Sequence, residues 1–75
     1  MYHPIEFNAD RTIDLEVSPL HRLERLRVRK GTRAEARVRP YVVEAAAGPV
    51  EVADLYFPDG TVSRAVPCGL FSFVE

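Results

Sequence analysis

The sequence predicts a mainly β protein: one domain over residues 1–75, folded as a small barrel or sandwich of about five to seven short strands, with one short helix near residues 19–25. Apolar and polar residues alternate with a period of two in several short runs. Turn-forming residues separate these runs, and 75 residues suffice for one hydrophobic core. A chain of this size is only marginally stable alone, so pairing with another chain would help it.

The clearest predicted element is a β-hairpin whose loop is Pro58-Asp59-Gly60. Pro58 presets φ for the first turn position, Asp59 suits the second, and Gly60 can adopt the left-handed conformation that follows. With this loop, Asp54 faces Arg64, and the ion pair between them favours this register over a slip by one residue. The other opposed pairs are Phe57–Thr61, Tyr56–Val62, Leu55–Ser63, Ala53–Ala65 and Val52–Val66.

Two alternating runs near the N-terminus, residues 5–8 and 12–17, predict a first hairpin with turn formers between them. Its inward-facing residues would be Ile5, Phe7, Ile13, Leu15 and Val17. An acidic outer row would consist of Thr12, Asp14 and Glu16.

Ser18-Pro19 is a good helix start, because the serine hydroxyl can cap the helix and a proline at the first helical position loses no hydrogen bond. Leucines recur at positions 20, 23 and 26, a helical spacing, whereas residues 26–29 alternate strictly. We therefore predict a helix over 19–25 that passes into a strand over 26–30. A helix over the whole of 19–30 remains the alternative.

The rest of the chain is predicted to be extended. Residues 34–39 alternate, Pro40 marks a bend, a bulge or an edge position, and residues 41–44 continue the strand. Residues 45–49 then form a turn. Pro67-Cys68-Gly69 predicts one 3₁₀ step before a last strand over 70–74.

That closing run, V-P-C-G-L-F-S-F-V-E over residues 66–75, resembles the end of SH3-like and Sm-like small barrels, in which a one-turn 3₁₀ step precedes the final strand. The resemblance covers about ten residues and is architectural. It carries no functional residues across.

Charge is strongly segregated, although the net charge is only −1. Residues 20–40 contain eight basic and two acidic residues, and the rest of the chain contains two basic and nine acidic ones. Such an arginine-rich face could bind a nucleic-acid backbone or an acidic protein surface. The alternative is that Glu6, Asp14 and Glu16 neutralise it in a cross-strand ladder of ion pairs. The candidate partner-binding residues are Arg22, Arg25, Arg27, Arg29, Lys30, Arg33, Arg37 and Arg39.

The sequence contains no catalytic, metal-binding or cofactor motif. His3 and His21 have no further ligand at metal-site spacing, and no residue fixed by the sequence would activate the thiol of Cys68. We therefore expect a non-catalytic binding module without a cofactor.

The most favoured function is an accessory subunit, adaptor or small regulator that binds another protein. An RNA- or DNA-binding module using the arginine-rich face is the alternative, although few aromatic residues are available there for stacking bases. The third hypothesis is that the chain is a structural subunit of a homo-oligomer. Tyr56 and Phe57 at the hairpin tip are further candidate contacts if they point outward.

The sequence also predicts a cytoplasmic location and no membrane partner. A single cysteine suits a reducing compartment. The sequence has no apolar run of the roughly 18 residues that would span a bilayer, and its N-terminus lacks a signal-peptide pattern.

Overall fold

The computed structural model describes residues 1–17 and 22–74, except for the side chains of residues 15–17, 22, 23 and 26. It is mainly β, as predicted. The strands are β1 (His3–Phe7), β2 (Arg11–Val17), β3 (Arg22–Val28), β4 (Arg33–Ala45), β5 (Gly48–Tyr56), β6 (Val62–Pro67) and β7 (Phe71–Phe73). The predicted 3₁₀ step is confirmed at Cys68–Leu70.

The strands are ordered β3-β2-β6-β5-β4-β1-β7, and every neighbouring pair is antiparallel. Among the described residues, the paired strands β2 and β3 join the other five strands through one pair of opposed residues, Glu16 and Val62. The Ser63 hydroxyl reinforces this junction by donating a hydrogen bond to the Asp14 carbonyl at 2.7 Å.

The described residues do not form a closed barrel, one of the two architectures predicted, because no ladder joins the end strands β3 and β7. Strand β7 has only three residues, and all of them already pair with β1. It therefore offers little backbone for a second ladder. Of the ending predicted by the resemblance to SH3-like and Sm-like barrels, the 3₁₀ step and the strand that follows it are present.

One curved face of the sheet encloses the core. The core includes Val28 on the end strand β3 and Phe71 on the end strand β7, so the sheet bends around a single cluster. The largest fully buried side chains are Phe7, Ile5 and Leu55. The other members of the cluster are Ile13, Ala34, Ala36, Ala53 and Val66.

The predicted helix over residues 19–25 is wrong for the part of it that the structure describes. Residues 22–25 lie in β3, and residues 18–21 are outside the described part of the chain. A helix of about seven residues is marginal in water. In the extended form, seven residues of β3 pair with β2 and Asp14 comes opposite Arg25. The sheet pairing therefore outweighs the helical spacing of the leucines.

The predicted first hairpin is also wrong, because β1 pairs with β4 and β7 rather than with β2. The residues that connect β1 to β2 form hydrogen bonds with neighbouring turns. The Asn8 side chain donates to the Gly69 carbonyl, and the Asp10 carboxylate accepts from the Lys30 N–H. The predicted inward residues Ile5, Phe7 and Ile13 are nevertheless buried. The predictions for the side chains of residues 15–17 fall outside the described ones.

The β5–β6 hairpin has the predicted register near its loop, where Tyr56 faces Val62 and Leu55 faces Ser63. Beyond it the register shifts by one, so the predicted pairs Ala53–Ala65 and Val52–Val66 are wrong. Ala53 instead faces Val66, and Val52 faces Pro67. The extra residue forms a bulge on β6 whose Ala65 N–H donates to the buried Asp54 carboxylate at 3.1 Å.

Ala65 adopts a φ of +54°, the only positive φ of a non-glycine residue in the described chain. This conformation costs an alanine roughly 1–2 kcal/mol and costs glycine little. We expect Ala65→Gly to raise the free energy of unfolding by about 1 kcal/mol in urea denaturation. Ala46→Gly in the exposed β4–β5 turn, where φ is not positive, serves as the control. Similar changes for the two variants would contradict the strain at Ala65.

The predicted irregularity at Pro40 is a bulge. The register between β4 and β5 shifts between Val38 and Val42, so that residues 39–41 lie opposite the single residue Val52. Proline has no N–H for a ladder, which explains the break. Beyond this bulge, β4 and β5 continue as a two-stranded ribbon, residues 41–51, which we call the arm.

Candidate interaction surface

The arm extends beyond the strands that flank its base. Strand β1 pairs with β4 only over residues 33–36, and β6 pairs with β5 only over residues 52–56. Among the described strands, none lies beside the arm on either side. Its backbone therefore presents two edges whose N–H and C=O groups can accept a further strand.

Apolar side chains are exposed on both faces of the arm. Val43 lies opposite Val50, on the face of β5 that carries Asp54, whereas Val42 lies opposite Glu51 on the other face. The exposed fractions are 50% for Tyr41, 50% for Val42 and 41% for Val43. Three consecutive apolar residues exposed on an edge strand are typical of a contact surface.

A buried carboxylate fixes the base of the arm. Asp54 is 2% exposed, and its Oδ2 contacts the guanidinium groups of Arg39 and Arg64, the latter at 3.8 Å. The hydrogen bond that Arg39 donates to the Asp54 carboxylate raises the pKa of Arg39 above its usual range. The predicted Asp54–Arg64 ion pair is therefore present, and the bulge brings Arg39 into the same cluster.

Most arginines of the predicted face contact acidic residues of the same chain. Arg25 lies 3.4 Å from Asp14, and Arg33 lies 3.7 Å from Glu6. A further pair, outside the predicted ladder, joins Arg27 to the Asp10 carboxylate at 3.6 Å. Asp14 and Glu6 therefore act as the sequence-based alternative predicted, in a ladder of cross-strand ion pairs, whereas the side chain of Glu16 lies outside the described ones. The pairs are exposed, so each stabilises the fold only slightly.

Within the described chain, the basic side chains of the predicted face that make no ion pair are Arg29, Lys30 and Arg37. Arg29 and Lys30 lie at the β3–β4 turn, and Arg37 lies at the base of the arm opposite Asp54. The structure therefore separates them into two places. The side chain of residue 22 is outside the described ones.

Tyr56 and Phe57 both pack against other aromatic rings. Phe57 is half-buried and stacks on Phe7 with ring centroids 6.3 Å apart. Tyr56 is half-buried and contacts Tyr2 edge-on at 5.3 Å. A depression of about 510 Å³ beside them is lined by Pro4, Arg33, Ala34, Glu35, Tyr56, Phe57 and Pro58.

The predicted turn residues occupy the predicted loop. The Gly60 N–H donates to the Phe57 carbonyl at 3.0 Å, with φ at Gly60 of +91°. Asp59 accepts from both the hydroxyl and the N–H of Thr61. These hydrogen bonds hold the pKa of Asp59 below its usual range.

The described residues contain no group of three or more His, Cys, Asp or Glu residues that could hold a metal ion. A second depression of about 350 Å³, between β2 and β6, has Asp14, Arg25 and Arg64 as its charged lining. All three already take part in ion pairs. No helix among the described residues is long and apolar enough to cross a membrane.

Burial raises the pKa of the Cys68 thiol, with a smaller contribution from Glu51. A raised thiol pKa in the folded state stabilises the fold below the unfolded pKa, and this contribution is lost as pH rises through the folded pKa. We therefore expect stability to fall in the alkaline range above about pH 8.5. Iodoacetamide should alkylate Cys68 several-fold more slowly in the native chain than in urea. Cys68→Ser should remove that part of the pH dependence, and equal alkylation rates would contradict the burial effect.

The arm is not predictable from the strand pattern alone, which indicates only that residues 41–44 continue a strand. A signal was present: Pro40 and Pro49 bracket a run in which Tyr41-Val42-Val43 does not alternate. A non-alternating apolar run usually indicates a strand buried on both faces. Only the observed register shows that this one lies outside the core.

No protein-family model matches the chain, and searches of curated proteins and of solved structures found no match.

Proposed function

We propose that this chain is a non-catalytic protein-binding module, acting as an accessory subunit, adaptor or small regulator, and that the arm is its contact element. One observation carries the proposal: half-exposed apolar side chains lie on both faces of a ribbon whose edges have no neighbouring strand in the part of the chain that the structure describes. Extended segments of partner proteins bind such edges through main-chain hydrogen bonds and gain specificity from the alternating side chains.

Charge supports a protein partner over a nucleic acid. The arm itself contains two carboxylates, Glu44 and Glu51, and no basic residue. Most arginines of the predicted face contact carboxylates of the same chain, which reduces their attraction for phosphates. We expect no retardation of single- or double-stranded nucleic acid in a gel shift at low salt. A strong, salt-dependent shift would favour the nucleic-acid alternative.

A photo-crosslinking amino acid in place of Tyr41 tests the proposal. Tyr41 is half exposed, so the substitution leaves the core unchanged. We expect irradiation in living cells to give a covalent adduct with a protein. The matched control carries the crosslinker at Asp59, which is exposed at the tip of the other hairpin. Adducts of equal yield at both positions, or none at Tyr41, would contradict the arm as the contact element.

A further inference from the structure

The β4 and β5 edges of the arm differ in how well each can pair with an added strand. On β5, Pro49 has no N–H, and the 3₁₀ turn at Cys68–Leu70 packs beside the strand. On β4, residues 41–45 contain no proline, and the edge has no neighbouring strand from Arg37 onward among the described residues. The β4 edge is therefore the better place for an added strand.

Charge changes sign along the arm. At the base, Arg39 is paired with the carboxylate of Asp54, and Arg37, opposite Asp54 in the register, adds a positive charge that makes no ion pair among the described residues. Farther out on the same strand, the charged residue is Glu44. An antiparallel copy of the same arm would place its acidic outer part beside the basic base, and this complementarity would occur twice in a two-fold dimer.

The side chains of the β4 edge are also self-complementary. If two copies pair antiparallel with Val42 at the two-fold axis, Tyr41 of each copy faces Val43 of the other. An aromatic residue opposite a β-branched one is a favourable cross-strand pair. In the same register, Glu44 faces Pro40, where the ladder ends because proline has no N–H to donate, and Arg39 lies across from Ala45, so no like charges oppose each other.

We infer that the chain forms a two-fold dimer in which the β4 edges of two arms pair antiparallel about Val42. This inference rests on the proposed role of the arm and adds the identity of its partner, a second copy of the chain. The dimer would extend the sheet across both copies and cover the apolar residues that the monomer exposes.

Charge substitutions at Val42 test the register. Val42→Lys places two ammonium groups at the two-fold axis, and Val42→Glu places two carboxylates there. Each variant should weaken dimerisation by about tenfold or more through like-charge repulsion. An equimolar mixture of the two should recover a dimer, because lysine then faces glutamate. Light scattering after size exclusion would report the mass, relative to 8.5 kDa for one chain.

Glu51→Lys is the matched control. Glu51 lies opposite Val42 but on β5, on the far side from the pairing edge, so this variant should remain dimeric. Unchanged circular dichroism and melting temperature would show that each variant is folded, as expected for positions this exposed.

Three results would overturn the dimer: a wild-type mass of one chain at every concentration, a mixture that stays monomeric, or Glu51→Lys as damaging as Val42→Lys. A monomeric chain whose Tyr41 crosslinks only to a different protein would overturn the dimer and leave the proposed function standing. A chain without any Tyr41 adduct would contradict both.

Discussion

Asp54→Ala is expected to lower the free energy of unfolding by about 3–5 kcal/mol, the usual cost of removing one partner from a buried ion pair. The carboxylate is almost completely buried and is the shared partner of Arg39, Arg64 and the Ala65 N–H. Without it, the Ala65 N–H and the Arg39 guanidinium lose a buried acceptor. Urea denaturation monitored by circular dichroism would measure the change.

Two further variants separate the contributions of Arg64 and Arg39 to the stability lost in Asp54→Ala. Arg64→Ala removes the longer of the two guanidinium contacts to Asp54, made by a half-exposed side chain, and should cost less than about 1 kcal/mol. Asp54→Ala combined with Arg39→Met removes both members of the closest pair and should be milder than Asp54→Ala alone. The losses in unfolding free energy of Asp54→Ala and Arg39→Met are also measured separately. If the loss in the double variant equals their sum, the Arg39–Asp54 contact does not organise the base of the arm.

Phe7→Ala is expected to cost about 3–5 kcal/mol, because a large buried side chain is lost and a cavity remains. Phe7 is 1% exposed and contacts the rings of Phe57 and Phe71. A chain of this length has a total stability of roughly 4–11 kcal/mol, so the variant should be largely unfolded at moderate urea concentrations. Thermal denaturation and urea denaturation would measure this loss of stability.

Phe73→Ala is the matched control, because Phe73 is an aromatic residue on the end strand β7 and is 52% exposed. It should cost about 1 kcal/mol or less. Equal losses at the two positions would mean that the sheet does not enclose its core in the observed way.

The sequence predicted the local features of this fold better than its strand order. The Pro58-Asp59-Gly60 turn, the 3₁₀ step and the bulge at Pro40 were predictable because each depends on the backbone preferences of a few residues. The buried set was largely predictable from alternation, as Ile5 and Phe7 illustrate.

Pairing between distant strands was not predictable in the same way. The run at residues 5–8 would fit a hairpin with 12–17 equally well, and only the whole sheet determines that β1 lies between β4 and β7. The leucine spacing near residue 23 is compatible with a short helix, which the pairing of β3 with β2 overrides. The register shift at the Ala65 bulge depends on a buried hydrogen-bond acceptor, Asp54, which lies on the neighbouring strand β5.

The candidate site was only partly predictable for the same reason. Charge counting identified the arginines and the acids that could neutralise them, and the observed contacts decide which pairs form. Exposure of Tyr41, Val42 and Val43 depends on where β1 and β6 end, which is a property of the sheet rather than of the run itself.

Amide hydrogen exchange on the purified chain tests the role of the β4 edge most directly. In dilute solution, the outward-facing amides of residues 41–45 should exchange rapidly, and the amides of residues 52–55 at the centre of the sheet should be protected. As the concentration is raised, protection should appear at residues 41–45 alone. Amides at residues 41–45 that exchange equally fast at every concentration, or protection that rises equally across the sheet, would contradict pairing through this edge.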